Sequence, residues 1–263
     1  MNGSGNWFSE NRSYAQRTCA EVGIKMKNKF YGTLLDLLFP RRCPVCDLPV
    51  RPFGKLVCEE CRGKFTLIRE PYCMRCGKRL AQEEEEYCTD CTAKRHQYDR
   101  GRAVFEYPTV ADAVYRFKYR GRQEYADYFG TCMAAHLGKW MREMGVQALV
   151  PVPIHASRYR SRGYNQAQLL CRRLGEELGI PVRDDLVQRV KKTTPMKDLS
   201  ALERQNNLKK AFKICCNDVK LDTIVIIDDI YTTGSTIDAI SCELRKAGVR
   251  RIYYAALAIG KGI

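Results

Sequence analysis

The chain has 263 residues, 45% of them hydrophobic, with a formal net charge of +15 and fourteen cysteines. That length allows one or two domains with a real core, and the balance stays basic when eight thiolates and two zinc ions are counted. No N-terminal apolar run follows a charged stretch, and no window reaches the roughly 18 apolar residues of a membrane span. Neither a signal peptide nor membrane insertion is therefore expected.

Residues 1–28 are polar and read as a flexible extension. Leu34, Leu35, Leu37, Leu38 and Phe39 predict a short helix that Pro40 stops. Residues 29–97 then carry four Cys-x-x-Cys pairs: Cys43/Cys46, Cys58/Cys61, Cys73/Cys76 and Cys88/Cys91. Each pair starts 15 residues after the last. Cys43-Pro-Val-Cys46-Asp47 recurs as Cys73-Met-Arg-Cys76-Gly77, and Val57-Cys58-Glu-Glu-Cys61 as Tyr87-Cys88-Thr-Asp-Cys91. Two thiolates on one tight turn can meet one metal, and two such turns complete a tetrahedral site. Asp47 and Gly77 supply the turn-prone residue after the second cysteine.

The spacing predicts a double zinc ribbon with two structural zinc ions. Sequential pairing of the turns is the expectation, and a cross-braced arrangement is the alternative. Metal spacing in place of disulfides implies a reducing, cytoplasmic setting. Cys19, Cys132, Cys171, Cys215, Cys216 and Cys242 follow no pattern and read as buried free thiols.

Residues 98–263 form a second expected domain. Strands are predicted over 102–107, 147–153, 223–228 and 251–259. Helices are predicted over 109–141 with a break around Gly121, over 165–178, from the Ser200/Glu203 capping box to about Phe212, and over 237–247. This alternation predicts an α/β fold, a mostly parallel sheet flanked by helices.

The most informative segment is Val225-Ile-Ile-Asp228-Asp229-Ile230-Tyr231-Thr232-Thr233-Gly234-Ser235-Thr236. A buried strand runs into two carboxylates, then a loop of small residues, then a helix. Backbone N–H groups and the positive helix end face an anion there, and Gly234 lets a backbone come close. The hydroxyls of Thr232, Thr233, Ser235 and Thr236 can donate to phosphate oxygens. Asp228 and Asp229 cannot serve that phosphate, so they are placed for hydroxyl groups or a metal-bound sugar. The segment resembles the PRPP-binding motif of type I phosphoribosyltransferases. That resemblance implies ribose contacts for Asp228 and Asp229 and 5′-phosphate contacts for Thr232 to Thr236.

Residues 158–213 carry 14 Lys and Arg against 6 Asp and Glu. Arg158, Arg160 and Arg162 alternate, and in an extended loop alternation puts all three on one side. Tyr159 and Tyr164 offer stacking faces beside them. Such a patch suits pyrophosphate or single-stranded nucleic acid. His155 lies close by, but a structural role is expected for it, as for His96 and His136.

Further segments carry a wider resemblance. They are Val150-Pro-Val-Pro153, Arg158-Tyr-Arg-Ser-Arg162-Gly163-Tyr164-Asn165-Gln166-Ala167, Phe117-Lys118-Tyr119-Arg120-Gly121 and the stretch from Leu199 to Phe212. Over about residues 34–260 the chain resembles the ComF family, a double zinc ribbon joined to a phosphoribosyltransferase-fold domain. The resemblance implies PRPP with Mg²⁺ as ligand and a role in DNA uptake during natural transformation. It also implies single-stranded DNA binding and a competence helicase as a candidate partner. Lys118 joins the pyrophosphate or nucleic-acid group on the same ground. Two other readings stay open, an active Mg-dependent phosphoribosyltransferase with Asp228 and Asp229 as its catalytic pair, and a regulator that senses PRPP. One departure is Met196, where the family often has Gln.

Overall fold

A computed structural model describes residues 40–190, 211–215 and 219–260. The chain divides into two compact units, Met1–Lys64 and Phe65–Ile263. The helix expected over 34–39, most of the one expected over 200–212, and Met196 lie outside the described residues.

The described part of the first unit is one cysteine ribbon. Arg42 bridges Pro49 in antiparallel fashion. The Cys43 N–H donates to Leu48 O (2.8 Å), and the Asp47 N–H to Cys43 O (2.9 Å). A second ribbon, in the larger unit, repeats this pattern 30 residues on. Tyr72 bridges Arg79, the Cys73 N–H donates to Lys78 O (2.7 Å), and the Gly77 N–H to Cys73 O (2.8 Å). Asp47 and Gly77 both take the positive φ that the turn requires, 57° and 69°. A short helix, α1 (Thr89–Ala93), follows the last cysteine pair's first member.

The rest of the larger unit is built on a four-stranded sheet. Its strands are β1 (Arg100–Glu106), β2 (Ala148–Pro151), β5 (Thr223–Tyr231) and β6 (Arg251–Ile259), in the order β1-β6-β5-β2. Every neighbouring pair runs parallel, as the alternation predicts. Ile224, Val225, Ile226 and Ile227 are fully buried, the signature of a strand covered on both faces. The helices are α2 (Tyr107–Tyr119), α3 (Tyr125–Glu143), α4 (Ala156–Arg162), α5 (Gln166–Leu178) and α6 (Ser235–Lys246). Helix α5 starts where the Asn165 side chain accepts from the Ala167 N–H and ends at Gly179 in the left-handed region. Helix α6 buries Ile237, Ile240 and Leu244 on one face.

Four features depart from the sequence-based expectation. β5 continues past residue 228 to Tyr231, because β6 pairs with it as far as Tyr231↔Ile259. Residues 156–162 are a helix instead of an extended loop: the His155 side chain accepts from the Ser157 N–H (3.2 Å) and caps it. Phe212–Ile214 is a strand, β4, pairing antiparallel with β3 (Val187–Arg189). Among the unpatterned cysteines, Cys132 and Cys171 are buried, but Cys242 is half-buried and Cys215 exposed. Among the described residues no helix is long and apolar enough to cross a membrane.

Candidate functional site

The C-terminal part of β5 delivers Asp228 and Asp229, and ligands gather at that end of parallel sheets. The Asp229 carboxylate pairs with Lys118 Nζ of α2 (2.8 Å), and both side chains are mostly buried. Asp228 Oδ1 accepts from the Asp229 N–H (2.9 Å). Burial pushes the Asp228 carboxyl up from 3.8 to about 7, the Asp229 charge adds to this, and Lys118 and Arg189 oppose it. Arg189 is in turn drawn down to about 10 by burial and then by the Arg158 charge, while Asp228 supports its protonated form. Two acids and three cations therefore share one electrostatic neighbourhood.

The loop after β5 exposes Thr232 and half-buries Thr233, Ser235 and Thr236. Thr233 Oγ1 and Ser235 Oγ lie 2.9 Å apart. Gly234, at φ 73°, caps α6 without a side-chain hydrogen bond. The first-turn N–H groups thus have no capping side chain, which is the arrangement that accepts an anion. A β-carbon at 234 would come within 2.6 Å of the Tyr231 hydroxyl and 3.1 Å of His96 Cε1. Glycine is required there for space as well as for conformation.

The structure separates the other residues singled out in the sequence. In a helix, Arg158 and Arg162 share a face at (i, i+4) and Arg160 points elsewhere, so the one-sided alternation is corrected. Arg162 donates to Gln166 Oε1 (3.0 Å) and to the Tyr119 hydroxyl (3.1 Å), with its guanidinium 4.8 Å from the Tyr119 ring centre. Tyr159 is half-exposed, but Tyr164 is 5% exposed and its hydroxyl donates to Phe117 O. Tyr164 therefore offers no stacking face.

The structure adds residues that sequence reasoning passed over. Arg189 of β3 acts electrostatically on Asp228, and no local sequence signal marks it. Tyr115 and Tyr119 are exposed on α2, with ring centres 5.2 Å apart. Their (i, i+4) spacing in a helix was the available signal.

The eight cysteines fall into two groups, Cys43, Cys46, Cys58 and Cys61, and Cys73, Cys76, Cys88 and Cys91. This is the sequential pairing. Within each group all sulfurs lie within 4.8 Å of one another. Cys46 and Cys58 Sγ are 4.0 Å apart, and Cys76 and Cys88 Sγ 3.6 Å. Zinc–sulfur bonds of about 2.3 Å in a tetrahedron put sulfurs about 3.8 Å apart. Hydrogen bonds from Cys76 and Cys91 hold Cys73 well below the thiol range, and bonds to Cys73 push Cys76 and Cys91 up. Four such thiolates ionise together only around a cation, so both sites fit structural zinc.

Residues 34–92 match the double zinc ribbon domain family. Competence protein F of Haemophilus influenzae is 31% identical over 78% of this chain and 98% of its own length. DNA utilization protein YhgH of Salmonella typhimurium is 30% identical over 82% of this chain and 96% of its own. Competence protein ComFC of Bacillus subtilis is 28% identical over 72% of this chain and 78% of its own. Such identity, sustained along almost the whole of the Haemophilus relative, means that the chain belongs to the ComF family.

Proposed function

We propose that the protein binds a 5-phosphoribosyl ligand, PRPP carried with Mg²⁺ or ribose 5-phosphate, and acts in DNA uptake. The observation that carries the ligand reading is the acid pair on β5, followed after the end of the strand and a short loop by a helix that Gly234 opens. An acid pair suits the vicinal hydroxyls of a ribose, and the uncapped helix start suits its 5′-phosphate. The names of the relatives, competence and DNA utilization, support the process.

Single-stranded DNA fits the same α/β unit. Tyr115, Tyr119 and Tyr159 are exposed side chains, Arg162 packs its guanidinium over the Tyr119 ring, and Arg158 and Arg160 flank Tyr159 in α4. Stacking rings beside cations is the chemistry by which single strands are held without sequence preference.

An active phosphoribosyltransferase is a second reading, favoured by Arg189 and Arg158. Arg189 lies within electrostatic reach of Asp228 and Arg158 within reach of Arg189, and the two could stabilise a departing pyrophosphate.

A thermal-shift series tests the ligand. PRPP with Mg²⁺ should raise the melting temperature, and Asp228→Asn with Asp229→Asn should remove the rise without loss of fold. An undiminished rise in the double variant would count against the ribose assignment. Pyrophosphate release from PRPP by the native chain tests the enzymatic reading.

A further inference from the structure

The second cysteine ribbon and the loop over 232–236 are tied together inside the larger unit by two sets of contacts. The first is aromatic. The Tyr254 hydroxyl of β6 donates to the carbonyl of Cys76 (2.5 Å). Its ring can lie there because Gly101 of β1 has no β-carbon; one added would sit 1.8 Å from that ring. Tyr254 stacks on Tyr231 with ring centres 4.5 Å apart and planes 5° from parallel. Tyr98 packs edge-on against both rings, and its hydroxyl meets that of Tyr231 at 2.6 Å. Tyr231 immediately precedes the loop.

The second set is polar and converges on Asp238, in the first turn of α6. Lys94 Nζ lies 2.8 Å from Oδ2, and the Gln97 N–H donates to Oδ1 (2.8 Å). His96 Nδ1 sits 3.0 and 3.2 Å from the two oxygens. All three residues belong to the segment that leaves the last cysteine pair. Burial alone would raise the Asp238 carboxyl, but bonds from His96, Lys94 and Gln97 outweigh it and hold the group below the usual range. Loop 232–236 is thus held from its N-terminal side by Tyr231 and from its C-terminal side by Asp238, and both partners lead back to the second ribbon.

We propose that Tyr98, Tyr231, Tyr254 and Asp238 are positioning residues that make the second cysteine centre part of the phosphoribosyl site, so that metal there and ligand on the loop favour each other's binding. The inference rests on the ligand reading above. A metal fixes the turn that presents the Cys76 carbonyl; that carbonyl fixes the Tyr254 ring, and the ring fixes Tyr231. Coupling of this kind is reciprocal: if the metal tightens the ligand, the ligand must tighten the metal. The first centre takes no part in either set of contacts.

The test follows zinc release from the full-length, zinc-loaded chain into a chromophoric chelator, with and without saturating PRPP and Mg²⁺. Cys58→Ser, which leaves only the second centre whole, identifies which phase belongs to it. The expected result is a second centre that holds zinc about fivefold or more tightly against the chelator, seen as slower release, with the first centre unchanged. Tyr98→Phe and Tyr254→Phe keep both rings and remove one hydroxyl each. At saturating ligand the slowing should largely vanish in both. Equal slowing in these variants and the native chain would mean that PRPP only stabilises the unit as a whole, and would overturn the proposal. So would a melting shift by PRPP with no change at the second centre. If PRPP gives the native chain no melting shift at all, the ligand reading itself fails and the proposal falls with it.

Discussion

Lys118 of α2 and Asp229 of β5 form a cross-element ion pair at the acid end of the sheet, at 2.8 Å. It neutralises Asp229 but leaves the adjacent Asp228 against burial and a neighbouring negative charge. Removing Lys118 should therefore strand two carboxylates. Lys118→Met should cost about 3 kcal/mol at pH 8, read from urea unfolding, and less at pH 5, where Asp228 takes up a proton. Adding Asp228→Asn should recover part of the loss.

Asp228 makes its own contribution to the pH dependence of the ligand-free chain. Its folded value, about 7, lies above its ordinary 3.8, so the folded state holds the proton more tightly than the unfolded chain. The folded state thus loses stability as pH rises from about 4 to about 7, and the loss is complete above that. Asp228→Asn should raise the melting temperature by roughly 5 °C at pH 8 and hardly change it at pH 4. A gain of equal size at both values would show that Asp228 is not the titrating group.

The two cysteine centres should differ in what they support. Protein purified without added zinc should carry about two equivalents. Cys58→Ser should remove one and leave the melting of Phe65–Ile263 unchanged, since that centre lies in the other compact unit. Cys88→Ser should lower the melting of the larger unit, because the Arg75 carbonyl of the second ribbon accepts from the Gly101 N–H of β1 (2.7 Å). Calorimetry with metal analysis separates the two outcomes.

Binding to single-stranded DNA should weaken with salt, with a slope of about −0.7 per phosphate contact. Replacing Arg158 and Arg160 should flatten that slope by about 1.4 if both touch phosphate. Tyr119→Ala or Tyr115→Ala should cost about 1–3 kcal/mol with little change in slope. Tyr164→Phe should lower stability and leave DNA affinity untouched, because that hydroxyl is spent on Phe117 O. Fluorescence anisotropy across a salt series reads all four.

The sheet and the cysteine centres were legible because their signals are local. Residues 224–227 are a continuous apolar run that a doubly covered strand explains, and a Cys-x-x-Cys turn carries its geometry within five residues. Helix α4 was not legible: it buries none of its residues, so no apolar period marks it, and its start depends on a histidine acting as a cap. Strands β3 and β4 are three residues each and exist only through pairing with one another. Tyr164 precedes the cap of α5, a position that often holds a buried apolar residue, and that signal favours burial over a stacking role. Tyr98, Tyr231 and Tyr254 are scattered along the sequence, and only the sheet brings them together.

The parallel stack of Tyr231 on Tyr254 gives the molecule a built-in optical reporter. Two phenol chromophores 4.5 Å apart, fixed in a buried setting, absorb as a coupled pair and produce a near-ultraviolet circular dichroism signal that fades when packing loosens. Because one ring precedes the loop and the other touches the Cys76 carbonyl, that signal registers rearrangement at either end without an added label.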